Sequence, residues 1–398
     1  MSLTRRTPSS FSSLLLLALL VSGSLALPLA SSASAQANAV VATVQVGRSP
    51  HGAAFDSFNG DLYVTNPDSD TMSVIDVSTD TVVANVTVGP HPWGVAFDPY
   101  NGYLYVILVS DQVSVIDTST DAVVANVTVG QDPFAVVFDS ANGDVYVTNL
   151  NPLPPRCNAA CRPIPGTVSV IDGSTDAVVA NVTVGYGPNA LAFDSSNGNL
   201  FVTSLTSGTV SVIDGSTNTV VATLKIDSNT NAGYGPAGLA FDPANGDVYV
   251  ASSSTTTPGG RISVIAGSND TVVANVTVGS GPWELAFDSA NGEIYATNYL
   301  SDTVSVFGVS TDTVVANVTV GANPWGIAFD AANGEIFVVD SGSDAVSVIA
   351  TSSVIGSSWT WAILAIPAIA VALACASLLL RDRHSKAVPD APAGDPAR

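Results

Sequence analysis

Residues 50–89 read PHGAAFDSFNGDLYVTNPDSDTMSVIDVSTDTVVANVTVG. Runs rich in Val, Ile, Tyr and Thr alternate with clusters of Gly, Pro, Asn, Asp and Ser, which is the pattern of short β-strands joined by turns. The first run ends at Phe55-Asp56, and Asn59-Gly60 behind it predicts a tight hairpin with both turn residues at φ > 0. The second run is 62–66 (LYVTN), the third 73–76 (SVID) and the fourth 82–88 (VVANVTV).

This unit repeats along the chain, and the repeat decides the architecture. Phe-Asp recurs at Phe55, Phe97, Phe138, Phe193, Phe241, Phe287 and Phe329, at intervals of 42, 41, 55, 48, 46 and 42 residues. Asn-Gly follows each in register, at Asn59, Asn101, Asn142, Asn197, Asn245, Asn291 and Asn333. Antiparallel four-stranded units of this size are propeller blades. The body opens on a lone fourth strand, 40–46 (VVATVQV), and ends on a third strand, 346–350 (VSVIA), so the N-terminus must complete the last blade. The expectation is an all-β, seven-bladed β-propeller with 3+1 strand closure over residues 38–351.

Taken as a set, P-x-G-x-A-F-D, NG, LYVTN, SVID and VVATVxVG resemble the YVTN-type β-propeller repeat family of archaeal surface-layer and bacterial exported proteins. The resemblance covers all seven repeats. Blades 1 and 3 carry YVTN unchanged, whereas 105–108 is YVIL and 337–340 is FVVD. The resemblance implies a cell-surface propeller and no particular reaction, because the scaffold hosts many functions.

Composition narrows the partners. The 398 residues carry a formal charge of −22. Arg5 and Arg6 lie near the start and Arg381, Arg383, Lys386 and Arg398 near the end. Between them only Arg48, Arg156, Arg162, Lys225 and Arg261 stand against 30 acids. So acidic a body repels phosphate backbones, which excludes nucleic acid as a partner.

Two apolar segments flank the body. Residues 11–30 follow a basic stretch and precede A-x-A sites at 33–37, the anatomy of a signal peptide over 1–37. Arg5-Arg6 matches a twin-arginine pair, but Thr-Pro-Ser follows where such signals carry bulky apolar residues. Residues 361–380 carry no charge and, at about 1.5 Å each, span the ~30 Å hydrocarbon core. Trp359 and Trp361 stand at one end and Arg381, Arg383 and Lys386 at the other. The positive-inside rule then gives a single-pass membrane protein, with a juxtamembrane segment and transmembrane helix over 352–380. Residues 381–398 form a cytoplasmic tail, and the propeller is extracytoplasmic.

Strand alternation puts the fourth-to-first and second-to-third loops on one face. Each fourth-to-first loop contains a Pro, and the residues after these prolines are His51, Trp93, Phe134, Asn189, Ala237, Trp283 and Trp325. First strands line the channel of a propeller. These side chains are therefore expected to ring one channel mouth and to bind a sugar, a peptide or a flat ligand. The alternative is that the aromatics wedge between neighbouring blades. The long insertions 150–166 and 251–261 belong to the same face, which marks it as the interacting one.

Cys157 and Cys161, in the first insertion, are expected to form a disulfide in an oxidising compartment, and Cys375 to pack in the membrane helix. Asn85, Asn126, Asn181, Asn269, Asn275 and Asn317 stand in glycosylation sequons. The competing explanation is that Asn and Thr supply the polar positions of an edge strand. Recurrent turn aspartates read as caps of turn N–H groups. His51, His91 and Asp132 are a weak metal candidate, and no cofactor motif occurs. The functional expectation is a membrane-anchored, non-enzymatic module binding a surface protein or glycan. The alternative is an extracytoplasmic lactonase-like hydrolase or lyase with its site at the channel mouth.

Overall fold

A computed structural model describes residues 38–151, 164–226, 235–252, 259–267 and 271–351. Its 28 strands fall into seven antiparallel sheets of four. In blade 1 the strands are Ala53–Asp56, Asp61–Asn66, Thr71–Asp76 and Thr81–Thr87. The last sheet is completed by Ala39–Gln45, which pairs with Ala345–Ala350. The chain is a seven-bladed β-propeller with the expected 3+1 closure.

The core is divided into seven parts, one between each pair of neighbouring blades. At the first seam, Tyr63, Met72, Val74 and Val86 of blade 1 pack on Leu104, Val106 and Ile116 of blade 2. At the closing seam Phe337, Val346 and Val348 meet Leu62, Val64 and Ile75, with Val44 of the closing strand among them. Apolar burial of about 25 cal/mol per Å² thus acts between blades as much as within them.

Polar side chains fix the register of these layers. In blade 1, Asn66 Nδ2 donates to Ser73 Oγ (3.0 Å), which donates to Asn85 Oδ1 (2.9 Å). Blades 3 and 6 repeat this ladder through Asn149, Ser169 and Asn181 and through Asn298, Ser305 and Asn317. Across the seams, Tyr146 Oη donates to Asn218 Oδ1 (3.1 Å) and Tyr295 Oη to Asn38 Oδ1 (2.7 Å), the latter on the closing segment. The Asn and Tyr of the LYVTN motif are thus structural residues.

Two local features depart from the sequence reading. The hairpin at Asn-Gly is not a two-residue turn with both residues at φ > 0. Asp56 pairs with Asp61 across a four-residue loop, and of Asn59 and Gly60 only Gly60 takes positive φ (80°). The reason is that Asp56 Oδ1 accepts the N–H of Phe58 (2.7 Å), an Asx turn that widens the loop. The fourth strands also carry a β-bulge in every blade. Ile75 pairs with Val82 and Val74 with Ala84, leaving Val83 unpaired and 57% exposed. Val41, Val124, Val179, Val221, Val273 and Val315 occupy the same position. A bulge at this place twists the outer edge and blunts edge-to-edge pairing.

Cys157, Cys161, Asn269, most of both insertions, residues 1–37 and residues 352–398 lie outside the described residues. Among the described residues no helix is long and apolar enough to cross a membrane.

Removing residues 40–46 should unpair the Ala345–Ala350 edge and expose Phe337, Val346 and Val348 at the closing seam. Size-exclusion chromatography should show aggregation and thermal melts a lower Tm. A monomeric truncation with an unchanged Tm would contradict the closure.

Candidate functional site: an aromatic cluster at the channel mouth

The geometry of the mouth begins with how closely the first strands approach. A Cβ on Gly52 would lie 2.7 Å from the Trp93 carbonyl oxygen of the next blade, and one on Gly94 3.1 Å from that of Phe134. Gly238 and Gly326 abut the carbonyls of Trp283 and His51 more closely still. A threonine bridges these neighbours where the motif provides one. Thr65 Oγ1 accepts from Gly52 N–H (2.9 Å) and donates to the Trp93 carbonyl (2.5 Å). Thr203 and Thr297 make the same bridges to Ala237 and Trp325. Each bond contributes on the order of 1 kcal/mol and ties one blade to the next at the axis.

A second bulge aims the aromatics. In blade 2, Pro92 pairs with Leu108 and Val95 with Val106, so Trp93 and Gly94 together oppose Ile107. The same shift recurs in blades 3 to 7. Bulges re-aim side chains. Strand alternation, which the sequence reading relied on, does not show this one.

The rings meet one another. His51 stacks on Trp93 at 3.6 Å between centroids and lies 4.6 Å from Trp325. Trp283 and Trp325 are 4.3 Å apart, Trp93 and Phe134 5.9 Å, and Trp93 and Trp325 6.1 Å. Trp93 belongs to blade 2 and Trp325 to blade 7, with blade 1 between them, so this contact bridges non-adjacent blades. Trp93 also packs against the seam of blades 2 and 3, so it makes both the contact across the axis and a contact between neighbours. The residues expected to ring the mouth are therefore brought together as a packed cluster. Its tryptophans and Phe134 are half-buried, while His51, Asn189 and Ala237 are buried. His51 Nε2 and Trp93 Nε1 are buried without a hydrogen-bond partner.

Below the cluster lies an axial cavity of about 100 Å³. His51, Phe134, Asn189, Glu284 and Trp325 line it, with backbone from Gly52, Gly94 and Gly326. Glu284 was missed by the sequence reading, although a signal existed. The residue two places after each proline is Gly or Ala in six blades (Gly52, Gly94, Ala135, Ala190, Gly238, Gly326) and Glu only in blade 6.

The metal candidates are placed differently from one another. The His51 and His91 imidazoles each stack on the Trp93 ring, at 3.6 and 6.0 Å. The Asp132 N–H is held by Asp111 Oδ1 (2.9 Å), as the His91 N–H is by Asp70 Oδ1 (2.8 Å). Among the described residues no three His, Cys, Asp or Glu side chains are grouped as metal ligands. Of the sequon asparagines, Asn85, Asn126, Asn181, Asn275 and Asn317 are exposed, and each Oδ1 accepts from a third-strand serine at 2.7–3.0 Å.

Burial, and secondarily the charge of His91, hold the His51 imidazole well below its ordinary 6.5. The unfolded chain takes up that proton as pH falls through 6.5 and the folded chain only at lower pH. His51 therefore contributes stability that is full above 6.5 and is lost below it. Glu284 runs the opposite way. Burial alone raises it from 4.5 to about 7, so its contribution is full below 4.5 and is lost as pH rises through about 7. His51→Phe should flatten the fall in Tm as pH drops below 6.5, and Glu284→Gln should flatten the fall on going from 4.5 to about 7. Wild-type pH profiles in both variants would contradict the burial of these groups.

No protein-family model matches the chain, and no curated protein matches it. In fold it is similar to hydrazine synthase of Kuenenia stuttgartiensis, with a TM-score of 0.66, 18% identity, and coverage of 77% of this chain and 96% of that one. At that identity the likeness is one of fold.

Proposed function

We propose that the chain is a YVTN-type, membrane-anchored surface propeller whose aromatic mouth is a binding face for a surface protein or glycan. The observation that carries this reading is the convergence of His51, Trp93, Phe134, Trp283 and Trp325 on one axis, with the tryptophans and Phe134 half-exposed around the buried His51. Aromatic clusters of this kind supply large contact area at little entropic cost.

The position of the chain end supports the orientation. The Thr351 N–H donates to the carbonyl of Gly334, in the hairpin on the face opposite the mouth. A membrane helix over residues 361–380 would then present the mouth away from the bilayer. The exposed sequon asparagines on the outer strands suit glycosylation, since Oδ1 is the atom engaged and Nδ2 is the atom a transferase modifies. The alternative reading, a lactonase-like hydrolase or lyase, draws on Glu284 and His51, the one acid and the one imidazole lining the cavity.

Trp93→Ala, Trp283→Ala and Trp325→Ala should each weaken association of the purified protein with cell-surface preparations. Their stability losses should fall below the ~3–5 kcal/mol of emptying a fully packed aromatic site. Unchanged association with large destabilisation would sink the binding face. Protease added to intact cells should remove the propeller and spare a tag placed after Arg398. Protection of the propeller would overturn the orientation.

A further inference from the structure

The axial cavity has a composition that selects among ligands. Its lining contains one carboxyl group (Glu284), one amide (Asn189), one imidazole (His51) and the rings of Phe134 and Trp325. No Lys or Arg is among the lining residues. No side chain among the described residues donates a hydrogen bond to the Glu284 carboxyl, and burial is the only cause of its raised pKa. The backbone N–H of Glu284 is held by Thr297 Oγ1 (3.0 Å), which fixes the residue at the axis. Six blades keep this position small, so the carboxyl is an addition to the repeat and not a requirement of it.

Glu284 is half-buried, and a carboxylate in the wall of a cavity with no hydrogen-bonded partner favours a positive charge beside it. The walls narrow the choice of cation. A hard divalent ion takes six or more oxygen ligands, with carboxylates prominent among them, and the side chains of the lining supply only one carboxyl and one amide. A free sugar asks for many hydrogen-bond partners, and three polar side chains are too few. An anion meets only repulsion from Glu284. An alkylammonium ion needs one counter-charge and aromatic faces, because the ring quadrupole attracts cations. The volume agrees: about 100 Å³ is on the scale of the ~150 Å³ cavity that holds benzene.

We propose that the axial cavity is a binding site for a small organic cation of the alkylammonium class, held by the Glu284 carboxylate against Phe134, Trp325 and His51. The proposal rests on the reading of this mouth as a binding face and names the ligand chemistry at its floor. The neighbouring Trp93 and Trp283 pack on the lining rings His51 and Trp325.

The test is calorimetric titration of the full-length protein in detergent, at about pH 8 where the carboxyl is ionised. Tetramethylammonium and choline are the probes, with the neutral carbon isostere of choline as control. Both cations should bind, and the isostere should bind at least roughly tenfold more weakly, because it lacks the charge. Glu284→Gln should lose roughly tenfold or more in cation affinity, the scale of an unpaired buried charge. Glu284→Ala should do the same, and it places at this position the residue that Ala135 and Ala190 already supply, so it is expected to fold. Equal binding of choline and its isostere, with Glu284→Gln unchanged, would mean a merely apolar hole and would overturn the proposal. Absence of cation binding would overturn it too, while surface association that still depends on Trp93 and Trp283 would leave the binding face standing. Cation binding alongside surface association insensitive to those tryptophans would support the chamber and remove the face.

Discussion

Seven first strands converge on one axis, and at three of their inner positions, Gly52, Gly238 and Gly326, the room left is smaller than a methyl group. Each of these three faces the carbonyl of the neighbouring blade at under 3.0 Å from where its Cβ would lie, and Gly94 at 3.1 Å is only slightly roomier. Much of the mouth follows from this. With the inner position reduced to backbone, the residue before it carries the side chain that reaches the axis, and the bulge at Trp93-Gly94 and its counterparts turns that side chain inward. The aromatics therefore pack on one another, and the single position that departs from the small-residue rule, Glu284, brings a carboxyl into the channel.

Away from the axis, the same repeat solves different problems with polar groups. The ladder from Asn66 through Ser73 to Asn85 crosses three strands and gives the buried Asn66 Nδ2 and Ser73 Oγ partners inside the sheet, while Asn66 Oδ1 is buried without one. In blades 2, 3 and 6 the Tyr hydroxyl of the motif stitches one blade to the next on the opposite face: Tyr105 donates to Asp176 Oδ1 (3.2 Å), Tyr146 to Asn218 and Tyr295 to Asn38. Where a blade departs from the motif, the partner changes with it. Blade 7 has Asp340 in place of the asparagine, and Ser347 Oγ donates to its carboxylate at 2.6 Å, with burial raising the acid to about 6. The mouth and the scaffold thus draw on separate positions of one repeat, and the residue after each proline varies in side chain from blade to blade.

The blades were legible because Phe-Asp, Asn-Gly and the Val-rich runs recur in register, and each marks a strand end or turn whose chemistry is local. Ring closure was legible from the lone strand at 40–46. The mouth was legible as a set of residues, but the meeting of rings across the axis was not, because it depends on a bulge at Pro-aromatic-Gly that alternation conceals. Glu284 was visible as the one large residue among six small ones, yet its meaning required the cavity. The two-residue hairpin expected at Asn-Gly failed because the Asp side chain of Phe-Asp competes for the turn N–H.

The account stands or falls on whether the aromatics meet across the axis. A double-mutant cycle on Trp93→Leu and Trp325→Leu, read by denaturant unfolding, measures this contact directly, since the two residues lie in blades 2 and 7 with a ring separation of 6.1 Å. Convergence predicts a coupling of about 0.5–1.5 kcal/mol, the range of aromatic pairs. Strict additivity, within about 0.3–0.5 kcal/mol, is what distant sites give and would contradict it.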